Sequence, residues 1–139
     1  MKRILIYIIP IIFTLQSCED KFTWASEVDC SECKLSEPSK GELTLDITIN
    51  SQNTRVPITI FRGDPVEKNI ISRDTTEVGK FKKDLSLDVR YTIMVKYKSK
   101  NRIINAVDGT TMKSYNLEGE CNINCWIVRD KALDMRLKF

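Results

Sequence analysis

The chain has 139 residues, carries 22 Lys and Arg against 19 Asp and Glu, and contains no histidine. That absence excludes Ser-His and Cys-His nucleophile pairs, histidine-based metal sites, and the side chain that ordinarily exchanges protons near neutrality. The formal net charge of +3 falls to +1 once the two cations of the first 17 residues are set aside, which gives no global electrostatic push towards nucleic acid or acidic substrates.

The N-terminus opens on a positive pair, Lys2 and Arg3, followed by an apolar run from Ile4 to Phe13. A bilayer-spanning helix needs roughly 20 apolar residues, and Pro10 would interrupt one by removing a backbone donor. A signal peptide fits instead. Its end, Leu15-Gln16-Ser17-Cys18, resembles the lipobox of bacterial lipoproteins. Leu15, Ser17 and Cys18 match the motif, while Gln16 stands where that family has a small residue. The resemblance implies cleavage before Cys18, lipidation of its thiol, and attachment to a membrane of the cell envelope. We take the outer membrane, and its outer face, as the expected location. Some lipoprotein groups read an acidic stretch, here Glu19-Asp20, as an export signal; inner-membrane retention is the alternative.

Removal of residues 1–17 leaves 122, with 20 Lys and Arg against 19 Asp and Glu. That length suits one domain and not two. The expected organisation is a signal peptide over 1–17, a lipidated tether with two cysteines over 18–40, and a β-domain over 41–139. The tether is polar, is broken by Pro38, and lacks sustained apolar periodicity.

From Gly41 the apolar residues recur at period two, the mark of strands with one buried face. Leu43, Leu45, Ile47 and Ile49 form the first inward row, and Val56, Ile58 and Ile60 the second. Pro57 points to an edge or a strand start, and Gly63-Asp64-Pro65 to a turn. Shorter strands are expected around residues 68–73 and 80–87. The clearest strand covers 89–98, with Val89, Tyr91, Ile93, Val95 and Tyr97 facing inward. Another spans 102–107, with Asp108-Gly109 read as a hairpin turn. Two more follow at 125–128 and 133–137. No stretch has helical period. The expected fold class is therefore all-β: a single antiparallel immunoglobulin-like β-sandwich of seven or eight strands.

Leu85 lies six residues before Tyr91, near the start of the strongest strand. That spacing resembles the tyrosine corner of fibronectin type III and related immunoglobulin-like sandwiches, and a transthyretin-like sandwich shows much the same pattern. The resemblance covers Leu85 to Val107 and implies a phenol bonded to backbone at the corner. It specifies no activity.

With Cys18 assigned to lipid, Cys30, Cys33, Cys121 and Cys125 remain. An even number in a small exported domain points to structural disulfides, with three pairings open. A bridge closing roughly 90 residues contributes about 4.6 kcal/mol in the chain-entropy model, against about 2 kcal/mol for a loop of four or five. That difference favours cross-pairing of the two ends. The competing readings are a four-cysteine zinc site, from the C-x2-C and C-x3-C spacings, and a redox C-x-x-C. The latter needs a helix N-terminus that the flanks do not supply. No metal site and no cofactor are expected.

Ser31-Glu32-Cys33-Lys34 spells S-x-x-K, a match that arises about once by chance in a chain this rich in Ser and Lys. Paired catalytic carboxylates cannot be singled out, and no catalytic residue is assigned. Arg90, Lys96, Lys98 and Arg102, with Lys100, are expected mostly on one outward face, with Lys80, Lys82 and Lys83 near them in sequence. Such a stripe suits an anionic glycan or a protein partner, against the plainer reading of lysines that discourage edge pairing. Nucleic acid is not expected, because Tyr91 and Tyr97 point to the core and do not interleave with the cations. The functional expectation is a non-enzymatic envelope lipoprotein that binds a glycan or a co-encoded envelope protein. The alternative is an accessory subunit of a surface assembly acting through edge strands, and a small Ser-Lys or carboxylate enzyme is the third class.

Overall fold

A computed structural model of the chain describes residues 29–119, 121 and 123–138. The signal segment, the lipobox with Cys18, and residues 19–28 lie outside the described residues. Nine strands are present among those described: β1 Lys40–Asp46, β2 Val56–Arg62, β3 Ile70–Thr76, β4 Lys80–Ser86, β5 Arg90–Ser99, β6 Arg102–Thr111, β7 Lys113–Leu117, β8 Cys125–Arg129 and β9 Ala132–Asp134. No helix among these residues is long and apolar enough to cross a membrane.

The strands form an immunoglobulin-like sandwich. One layer is the four-stranded sheet β3-β2-β5-β6, the other is the three-stranded sheet β4-β1-β9, and β7 and β8 form a separate two-stranded ribbon. Period-two alternation puts Leu43, Leu45, Ile58, Ile60, Ile93 and Val95 between the layers, each at 1% exposure or less. Burying a side chain of this size contributes about 1.5–3 kcal/mol, so these rows fix both the layers and their register.

Two tyrosines close the sandwich. The phenol of Tyr91 donates to the Ser86 carbonyl at 3.2 Å, five residues upstream, across the turn in which Asp88 takes φ 57°. The phenol of Tyr97 donates to the Met135 carbonyl at 2.9 Å and accepts from the Thr48 amide at 3.2 Å. Tyr97 thus ties the C-terminal segment to the core with every polar atom satisfied.

Pro57 takes the strand-start position expected of it, as second residue of the inner strand β2, and three other strand readings need correction. The β5 ladder begins one residue later, at Ile58↔Val95, so the missing Pro57 donor costs no bond there. Asp108-Gly109 is no turn: β6 continues to Thr111, with Asp108 opposite Ile93 and Gly109 opposite Thr92. A Cβ on Gly109 would lie 3.2 Å from the Tyr91 carbonyl oxygen, so the glycine serves close strand approach. Strand β7, unexpected from the sequence, pairs β8 from Lys113↔Arg129 to Leu117↔Cys125. The last strand is the three-residue β9, and it runs parallel to β1, the one departure from an antiparallel sandwich.

The N-terminal segment is clamped to the domain. Lys34 and Trp126 exchange backbone hydrogen bonds of 2.9 and 2.8 Å. Beside that bridge lie two disulfides, Cys30–Cys121 and Cys33–Cys125, with Cα–Cα distances of 5.7 and 5.3 Å and sequence separations of 91 and 92. The cross-pairing favoured by loop entropy is the one adopted. The Lys34–Trp126 bridge selects between its two versions, because it brings Cys33 next to Cys125 and leaves Cys30 for Cys121.

Candidate functional site

The two layers present outer faces of opposite electrostatic character. On β5 the residues that alternate away from the core are Arg90, Thr92, Met94, Lys96 and Lys98. Paired residues share a face, so Lys96 lies beside Asn105 and Lys98 beside Ile103 of β6, while Met94 lies between Thr59 of β2 and Val107 of β6. Thr59 in turn pairs with Arg73 of β3. The outward strand positions of this sheet therefore carry Arg73, Arg90, Lys96 and Lys98 and no acidic residue. All four cations are exposed, and none forms an ion pair among the described residues.

On the other layer the outward positions of β1 and β4 are balanced, with Lys40, Lys80 and Lys82 against Glu42, Asp46 and Asp84. The outward positions of β4 and β1 pair Lys80 with Asp46 at 2.9 Å and Lys82 with Glu42 at 2.6 Å. The Glu42 carboxylate beside Lys82 holds that ammonium above its ordinary pKa. Lys131 pairs with Glu32 of the N-terminal segment. At the C-terminus Arg136, seconded by Lys138, holds the Asp134 carboxyl well below the usual carboxylate range. Lys83 bridges the layers at one edge by pairing with Asp74 of β3 at 3.2 Å.

The structure thus sorts the cations that the sequence grouped. Arg90, Lys96 and Lys98 share the outer face of the four-stranded sheet. Arg102 does not: it pairs with Ser99 across the hairpin, which gives it the parity of the core-facing row. It lines, with Ser99, Lys100, Asn101 and Ile104, a shallow depression of about 580 Å³ at the hairpin end. Lys80, Lys82 and Lys83 lie on β4 in the opposite layer, since the chain changes sheets between β3 and β4. Arg73 joins the basic face although sequence reasoning missed it. Its place follows from the register with Thr59 of β2, which no apolar pattern within β3 reveals, since that strand has only Ile70 and Ile71 as apolar residues.

One end of the face is covered. The Thr92 hydroxyl donates to the Gly63 carbonyl at 2.7 Å, and Phe61, outside the core cluster, is 7% exposed. The loop after β2 therefore packs over the Phe61–Thr92 corner. The open part is the end bearing Arg73, Lys96 and Lys98, bordered on β6 by Ile103 and Val107 at 64% and 53% exposure.

The remaining candidate chemistry is placed as follows. The sulfurs of Cys33, Cys121 and Cys125 lie within 4.8 Å of one another, but all four cysteines of this cluster are consumed in disulfides, which removes the thiolates a zinc site needs. Cys30–Glu32 forms a single 3-10 turn capped by Asp29, not the helix that a redox C-x-x-C requires. Ser31 and Lys34 both line a depression of about 430 Å³ together with Glu32, Glu42, Lys82 and Lys131. No hydrogen bond joins Ser31 to Lys34, and four of the charges there are spent on the pairs Lys82–Glu42 and Lys131–Glu32. Compared with known proteins, the chain matches no family model, no curated protein and no solved structure.

Proposed function

We propose that this chain is a cell-envelope lipoprotein, anchored through Cys18, whose domain is a non-enzymatic binding module for an extended polyanion, an acidic glycan in the first instance. The observation that carries the reading is the segregation of charge. Arg73, Arg90, Lys96 and Lys98 project from one sheet with no acid among them, whereas on the other sheet Lys80 and Lys82 are paired with Asp46 and Glu42, and Lys40 shares its face with those acids and Asp84. Unpaired like charges on one face raise the local potential and attract an anionic partner.

The placement of the N-terminal segment supports the same reading. Ser31 to Lys34 line a depression with Glu42, Thr44 and Lys82, the outward residues of β1 and β4. A tether arriving there joins the molecule on the neutralised layer and leaves the basic face on the far side. The partner is recognised by charge and not by stacking, because the outward strand positions of the basic sheet carry no Tyr or Trp.

The test is retention on an immobilised sulfated polysaccharide. The wild-type protein is expected to bind at low salt and to elute as ionic strength rises, since the Debye length falls from about 10 Å at 0.1 M to about 3 Å at 1 M. Lys96→Glu/Lys98→Glu is expected to abolish retention, whereas Lys80→Glu/Lys82→Glu on the paired layer is expected to leave most of it. Equal losses from the two variants would refute a role for the face.

A second reading, an accessory subunit that pairs through a sheet edge, is favoured by β6. Its outer edge has no strand partner among the described residues, and from Ile103 to Val107 it carries no charge and no proline.

A further inference from the structure

Natural sheets protect their edges with charges, prolines, bulges or a covering element. Strand β3, one edge of the four-stranded sheet, follows this rule with Arg73 and Asp74 at its middle and a register irregularity opposite Ile60/Phe61. Strand β6, the other edge, does not. It is ten residues long and pairs regularly with β5 from Arg90↔Thr111 to Ser99↔Arg102. Among the described residues only its C-terminal end is covered, where the Thr110 hydroxyl donates to the Asp130 carbonyl at 2.6 Å in the loop before β9. The stretch from Arg102 to Asp108 is open.

That open stretch is self-complementary. Set antiparallel to itself about Asn105, it places Asn105 opposite Asn105, Ile104 opposite Ala106, and Ile103 opposite Val107. At each end Arg102 of one copy falls opposite Asp108 of the other. Arg102 and Asp108 are both exposed, share one side of the strand, and take part in no ion pair among the described residues. Ile103 and Val107, on the outer side, are among the most exposed large apolar side chains of the domain. Cross-strand apolar and opposite-charge pairs of this kind stabilise a sheet, and a twofold axis makes every unlike pair occur twice.

We infer that β6 is a homodimerisation edge whose occupant is the β6 strand of a second copy, in the register centred on Asn105. The register uses the uncovered residues and stops where the loop before β9 begins. It joins two four-stranded sheets into one of eight strands. Antiparallel pairing keeps both outer faces on the same side, so Lys96 and Lys98 of the two copies lie on one continuous surface. The inference rests on β6 alone and holds whether or not that surface binds a polyanion. Seven residues per copy make a seam about 24 Å long, at the small end of specific interfaces, so a reversible micromolar dimer is expected.

The experiment is sedimentation velocity on the full-length chain in density-matched detergent, across a series reaching about 100 μM. Wild type is expected to move from monomer to dimer within the series. Ile103→Lys/Val107→Lys places like charges opposite one another twice and is expected to weaken the dimer at least about tenfold. Ile103→Lys/Val107→Glu makes the same two positions attractive and is expected to restore it. The inference is overturned by a wild type that stays monomeric throughout, by a dimer that survives the Lys/Lys variant, or by a Lys/Glu variant no better than Lys/Lys.

Discussion

The two disulfides span almost the same interval, 91 and 92 residues, and this makes their contributions interdependent. Whichever bridge is present closes the long loop, worth about 4.6 kcal/mol in the chain-entropy model. The other bridge then closes only the small ring running from Cys30 to Cys33, across a bridge, and from Cys125 back to Cys121. A ring of roughly nine residues is worth about 2.5 kcal/mol. Cys30→Ala/Cys121→Ala is therefore expected to lose about 2.5 kcal/mol. Cys33→Ala/Cys125→Ala is expected to lose about 1 kcal/mol more, because Cys125 is fully buried against Leu117 and Ile127 and its sulfur leaves a void. Removal of both bridges is expected to cost about 7 kcal/mol before the packing loss, about 2 kcal/mol beyond the two entropic losses combined. That is comparable with the whole stability of a typical domain, so the variant lacking both should be largely unfolded in buffer. Urea denaturation followed by far-ultraviolet circular dichroism reads all four states. Single-bridge variants that each lose about 4.6 kcal/mol, with losses that simply add, would refute the ring argument.

Tyr97→Phe orphans the buried Met135 carbonyl and the Thr48 amide, and is expected to cost about 2–3 kcal/mol, against about 1 kcal/mol for the single corner bond lost in Tyr91→Phe; urea midpoints order the two. Gly41→Ala would put a Cβ 2.9 Å from Val128 Cγ1 and 3.0 Å from Leu87 Cδ2, and overpacking of this kind is expected to cost about 1–3 kcal/mol, read as a lower melting temperature. Asp74 is held below its ordinary pKa, first by the Ser72 hydroxyl bond and then by Lys83. Its native pKa is thus lower than its unfolded one, so its stabilising contribution is present above the unfolded value of about 3.9 and is lost as pH falls through the native value. Asp74→Asn should therefore flatten the acid side of a stability profile measured from about pH 5 to about pH 2.

The sequence carried the layers of this fold because β1, β2 and β5 each present one face to a core, and burial at period two writes itself directly into residue type. It did not carry β7 or β9. Strand β7 has only Tyr115 and Leu117 as apolar residues; Leu117 is buried by Cys33, Cys121 and Cys125, and Tyr115 is covered in part by the Arg129 guanidinium, 5.0 Å from its ring centroid. Both contacts come from elsewhere in the chain. The same limit governs the basic face. Alternation within β5 identified Arg90, Lys96 and Lys98, but the position of Arg102 follows from hairpin register and that of Lys80, Lys82 and Lys83 from the sheet to which β4 belongs. Neither is a local property. Asp108-Gly109 misled because the same dipeptide serves a hairpin turn and a close approach of strands, and only the 3.2 Å gap above Gly109 distinguishes them.

The disulfides and the charge segregation meet in one mechanical consequence. The bridges fix the N-terminal segment to the β7-β8 ribbon, and that segment lies beside the layer whose outward charges are balanced. Under the proposed anchoring, the twelve residues from Cys18 to Cys30 reach at most about 40 Å when fully extended, so the domain stays within about that distance of the lipid. A short tether joined to the neutral layer lets the opposite, basic layer face away from the lipid. Pairing through β6 would add a second tether on the same side, because antiparallel pairing keeps like layers together. Two anchors on one side and a doubled basic surface on the other would then act jointly, each membrane attachment raising the effective concentration of the second. Loss of the bridges and loss of the β6 seam therefore have different signatures. Removal of both bridges unfolds the domain and takes the basic face with it. Seam removal keeps the orientation and halves the surface offered to a long polyanion.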